Sequence, residues 1–115
     1  MINKQDYIKK DMDNIIRVGL NVGVIKEGDY FVAYCPALNI SSYGKNENEA
    51  KKRFEEEVKI FFDETSKRGT LEKLLLSLGW SLVQKPKPRY KPPKTKFDIN
   101  KKKLETFTEE ISIPI

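Results

Sequence analysis

Between residues 15 and 27, Ile16, Val18, Leu20, Val22 and Val24 alternate with Arg17, Gly19, Asn21 and Gly23. A period of two belongs to a strand with one buried face, and the glycines suit strong twist or the close approach of another backbone. "EGD" at 27–29 is a short turn, so residues 30–35 return as a second strand in a hairpin. Pro36 has no amide hydrogen to give a ladder, and it either ends that strand or places it at an edge. "NISSY", residues 39–43, is a short third strand. Gly44 follows and is free to take a positive φ and turn the chain.

The period then changes. Asn46 opens a helix, with Glu49 three residues on in a capping-box arrangement. Ala50, Phe54, Val58, Phe61, Phe62 and Thr65 share one helical face, and Gly69 ends the helix. The opposite face is charged, with Lys51–Glu55, Glu55–Lys59 and Lys59–Asp63 at i,i+4 spacing. Thr70 opens a shorter helix, in which Leu71, Leu74, Leu75 and Leu78 lie on one side before Gly79 stops it. Trp80–Val83 reads as a further strand. Residues 84–96, "QKPKPRYKPPKTK", suit an extended, polyproline-like linker or arm. Residues 97–110 support no single element, although "NKKKLETFTEE" suits a short helix. The final "EISIPI" alternates as a terminal strand, and Pro114 points to an edge.

These elements predict one α+β domain over residues 15–83. Its sheet is small, three- to four-stranded and mainly antiparallel, with one long helix packed on one face. A polar segment, 1–14, precedes it. A basic Pro-rich linker or arm, 84–103, and a segment, 104–115, ending in an edge strand follow as a C-terminal extension. A chain of 115 residues is about one domain. A domain that small leaves little core for a deep substrate cavity. Its exposed sheet edge favours pairing with another copy, so a homo-oligomer is expected.

Charge sharpens the division. Residues 1–83 carry 13 basic and 13 acidic side chains. Residues 84–103 carry nine basic residues against Asp98 alone, and 104–115 carry three glutamates. The net +5 therefore belongs to one segment and not to the domain. The single cysteine, Cys35, has no partner for an intramolecular disulfide. The polar start resembles no signal peptide, and no apolar run is long enough to span a bilayer, so a cytoplasmic setting without membrane contact is expected.

Chemistry is sparse. The chain has no histidine, which removes the commonest general base and zinc ligand. It has no Gly-rich phosphate-binding pattern, and no cofactor is expected. Glu55, Glu56 and Glu57 are consecutive on a helix, about 100° apart, and do not converge on one ion. Cys35, within a strand, is expected to be an inert buried thiol. No catalytic residue and no metal ligand emerges, so the chain is not expected to be an enzyme.

The stretch "YFVAYCPALNISSYGKNENEAKKRFEEEVKIFFDE", residues 30–64, resembles the HicB-like antitoxin family. The likeness covers roughly residues 16–64. It rests on Pro36, Leu38, Gly44, Asn46, Glu49 and Ala50, which match the family's Pro-x-Leu element and its Gly–cap–Glu-Ala turn. The resemblance implies a partial RNase H-like fold, with no nuclease activity attached to that label. It also implies a partner, a small HicA-type RNA-cleaving toxin blocked by steric occlusion. Family members often add a helix-turn-helix or ribbon-helix-helix unit, and the residues after Val83 match neither.

Two further contacts are expected. Lys85, Lys87, Arg89, Lys91, Lys94 and Lys96 suit phosphate contacts, with Tyr90 for base stacking, so the arm is either a nucleic-acid-binding segment or a solvated linker. Ile60 and Leu76 fall off the apolar faces of their helices and are candidates for an oligomer or partner contact. The acidic group Glu55–Glu57, Asp63 and Glu64 suits attraction of a basic partner.

Overall fold

The computed structural model describes residues 5–10, 15–83, 89–94 and 103–114, with side chains from 108 onward in the last of these. Strands β1 (Tyr7–Lys10), β2 (Ile15–Glu27), β3 (Tyr30–Cys35) and β4 (Ile40–Gly44) lead into helices α1 (Glu47–Arg68) and α2 (Leu71–Ser77). Strands β5 (Ser81–Val83), β6 (Arg89–Lys91) and β7 (Lys103–Pro114) follow. All strand pairs are antiparallel.

β2 organises the sheet. β7 pairs with it from Ile15 to Ile25 and so occupies most of one edge. β1 pairs with residues 16–19 and β3 with residues 23–27, so these two share the opposite edge end to end. β4 extends the sheet beyond β3, while β6 and then β5 extend it beyond β1. Between the two arms the Asn21 amide donates to Asp6 Oδ1 at 2.6 Å, and a side chain fills the gap in the ladder. Burial drives the Asp6 carboxyl above its ordinary value, and the hydrogen bonds from Asn21 oppose that rise.

The expected small sheet of three to four strands with one long helix is overturned. Among the described residues the sheet has seven strands, and strand outweighs helix. β1, β6 and the first part of β7 were not expected as strands, and they lie in stretches whose composition hides them; the last residues of β7 fall in "EISIPI", which the alternation reads as a strand. β1 has only four residues and two of them are lysines; β6 has three, between Pro88 and Pro92. β7 runs through "KLETFTEE", where helix-favouring ends obscure the β-branched threonines. β6 and β7 are held by partners distant in sequence, β1 and β2, which local periodicity does not register; β1 pairs with the nearby β2 but is too short for a period to show.

One face of the sheet carries the core. Val18, Leu20 and Val22 meet Ala50, Phe54, Val58 and Phe62 of α1, all without exposed surface. Leu75 of α2 and Trp80 join the same cluster, and the Trp80 indole donates to the Ala37 carbonyl at 2.8 Å. Ile111 and Ile113 of β7 close it along one side.

Candidate functional site

Gly44 does not turn the chain through a positive φ; the glycines that do so are Gly28, Gly69 and Gly79. Its requirement is space. A Cβ there would stand 2.8 Å from the Glu49 carbonyl carbon and 2.9 Å from Ala50 Cα, inside the first turn of α1. Ala50, itself fully buried, lets that turn approach. Asn46 adopts extended backbone and its Oδ1 accepts from the Glu49 amide at 2.8 Å. Glu49 reaches back to the Lys45 amide at 2.8 Å, one residue before the cap. Pro36 and Leu38 frame a turn in which the Asn39 amide donates to the Pro36 carbonyl at 3.3 Å, and Leu38 is buried. Thus the strand–turn–helix residues are brought together as a joint between sheet and helix.

The basic arm divides. Lys85, Lys87 and Lys96 lie outside the described residues. Arg89, Tyr90 and Lys91 form β6, so this part of the expected linker is a sheet strand. Tyr90 packs against the core, and burial raises its hydroxyl pKa, with Glu72 adding charge and a hydrogen bond. The ring is thus an architectural contact, which competes with base stacking. Lys9 stands opposite Arg89 across the β1–β6 ladder, and Lys9, Lys10, Arg89, Lys91 and Lys94 are exposed. A groove of about 250 Å³, bordered by Lys9 and Lys10, lies between β1, β6 and the α1–α2 joint. Ser66, Glu72 and Tyr90 line it, and Ser66 Oγ is shielded, with no hydrogen-bond partner among the described residues.

Ile60 and Leu76 are both exposed, at 54% and 50%. Ile60 lines a second groove, of about 390 Å³, with Lys59, Asp63, Ser112, Ile113 and Pro114. Leu76 has no place in that lining. The acidic face of α1 is largely balanced from within: Glu55 pairs with Lys59 at 3.6 Å, Asp63 with Lys67 at 3.0 Å and Glu64 with Arg68 at 3.4 Å. Glu56 and Glu57 remain exposed.

Sequence reasoning missed the polar ladder on the face away from α1. The Tyr7 ring covers Gly19, where a Cβ would overlap it, and its hydroxyl donates to Glu110 Oε2 at 3.1 Å. Arg17 donates to Ser112 Oγ at 3.4 Å, and Thr108 donates to Asn21 Oδ1 at 3.3 Å. The alternating glycines of β2 were the available signal. Cys35 is fully buried, and burial pushes its thiol up to about 12, so it is held as an unreactive thiol. Among the described residues no helix is long and apolar enough to cross a membrane. The chain matches no family model, no curated protein and no solved structure.

Proposed function

We propose that the chain is a binding protein that performs no turnover, a HicB-like antitoxin or an orphan relative. Its partner would be a small HicA-type RNA-cleaving toxin, blocked by steric occlusion in the cytoplasm. The observation that carries this reading is the sheet–helix joint. Gly44, Asn46, Glu49 and Ala50 each take a distinct role in it, and none is spent on chemistry. Exposed Glu56 and Glu57 of α1 offer a basic partner some electrostatic steering, screened by salt.

The test is reconstitution. The full chain is mixed with a HicA-type toxin encoded by an adjoining reading frame. A stable complex on gel filtration, with RNA cleavage lost in proportion to added chain, is the expected outcome. Undiminished cleavage with no complex rules the reading out.

A second reading is favoured by one observation, the pairing of Lys9 with Arg89 on adjoining strands. That pairing turns part of the basic arm into a strip on the sheet, suited to phosphate contacts. It requires binding to duplex DNA or RNA that weakens steeply with salt. A gel shift showing no binding even at low salt removes it.

A further inference from the structure

Among the described residues β7 has a neighbour on one side only. β2 takes one edge, and no strand meets the other. The open edge is twelve residues long, against five for β4 and three for β5 at the sheet's other ends. No proline interrupts it before Pro114. A long uninterrupted edge presents a row of backbone donors and acceptors that pairs readily with another strand.

The charges of β7 specify which strand. Lys103 begins it, preceded in sequence by Lys101 and Lys102, while Glu109 and Glu110 stand near its end. An antiparallel copy turned about an axis near Thr106 lays each basic end beside the other's acidic end. A parallel copy would set like charges together. We propose that a second copy of the chain docks on this edge, β7 against β7 in antiparallel register, so that one sheet runs through both copies.

The surroundings fit that occupant. α1 runs beside the edge, and its exposed Ile60 borders the groove with Ser112, Ile113 and Pro114 that a neighbouring chain would cover. Glu109 faces Glu55, with Lys51 and Lys59 as its opposing charges. Lys103 at the strand start of a second copy adds positive charge where the acid is poorly hydrated. The inference stands apart from the antitoxin reading, because a dimer forms or fails without any toxin.

Sedimentation of the full chain at low salt tests it. The expected mass is twice the 13.4 kDa of one chain, with dissociation promoted by salt. Two charge variants then test the register: E109K/E110K, and K101E/K102E/K103E. Each is expected to be monomeric alone, and an equimolar mixture is expected to recover the doubled mass. Circular dichroism checks that both fold. If either does not, hydrogen exchange of wild-type β7 at rising protein concentration decides, slowing in a dimer through this edge. A wild-type mass of one chain at the highest soluble concentration overturns the proposal. So do folded variants that dimerise alone or fail to recombine, and so do β7 exchange rates independent of concentration.

Discussion

Glu109 stands opposite Leu20 on the helix-facing side of β7, an unusual place for an acid. Burial raises its carboxyl above the ordinary value of 4.5; Glu55 adds to the rise, and Lys51 and Lys59 oppose it. The folded chain therefore holds this proton more tightly than the unfolded chain, and folding takes up a proton. Stability accordingly falls as pH rises from about 4.5 through the raised value. Glu109→Gln removes the titration while keeping the side chain's size. At a concentration low enough to keep the chain monomeric, the variant is expected to be the more stable at neutral pH. Its advantage should vanish below the ordinary glutamate range. Urea unfolding at a series of pH values measures this, and a constant difference at all pH values contradicts it. Asp6 shows the same conflict with a different resolution: its carboxylate is the partner of an amide that neither β1 nor β3 reaches.

At the scale of elements, α1 was legible almost completely, because its signals are local. Ala50, Phe54, Val58, Phe62 and Thr65 are its buried residues, all on the face that the sequence spacing marks, and Gly69 closes it at φ 68°. The helix-capping role of Asn46 was equally visible. The need for Gly44 was legible and its cause was not. Sequence suggests a turn, whereas the structure shows a strand end pressed against a helix start. That distinction is testable. Gly44→Ala keeps every backbone conformation open to an ordinary residue, yet its methyl meets backbone atoms of Glu49 and Ala50 that have no flexible end to yield. The expected cost is about 1–3 kcal/mol in urea unfolding, as for other overpacked sites. A neutral result would show that the approach of α1 does not set the residue. Ile60 was also legible as exposed, since exposure follows from helical phase; its neighbours on β7 were not, because Ser112 and Ile113 are far away in sequence.

Across the whole molecule, the sequence concealed how the sheet is held. Arg17 and Ser112 meet across 95 residues, and no window of local periodicity contains both. The segments with the poorest local signal, 7–10, 89–91 and 103–109, are those that the long β2 and its neighbours recruit. This hierarchy predicts an order of opening. At residues 16–19 and 23–25 β2 has neighbours on both edges, and one of its faces lies under α1. Its amides should exchange with solvent last, through global unfolding. The β1–β6–β5 arm hangs on four paired residues of β1, and only Ile8 and Lys9 of β1 pair with β6. Its surface is charged on both strands, so little apolar burial resists its release beyond Ile8, Tyr90 and the Trp80 segment. Native-state hydrogen exchange should therefore show β5 and β6 opening as a unit well before β2, with β3 and β4 held longer by α1. Simultaneous exchange of the arm and β2 would mean that the two are one cooperative unit. In that case the basic strip would be as rigid as the core that carries it.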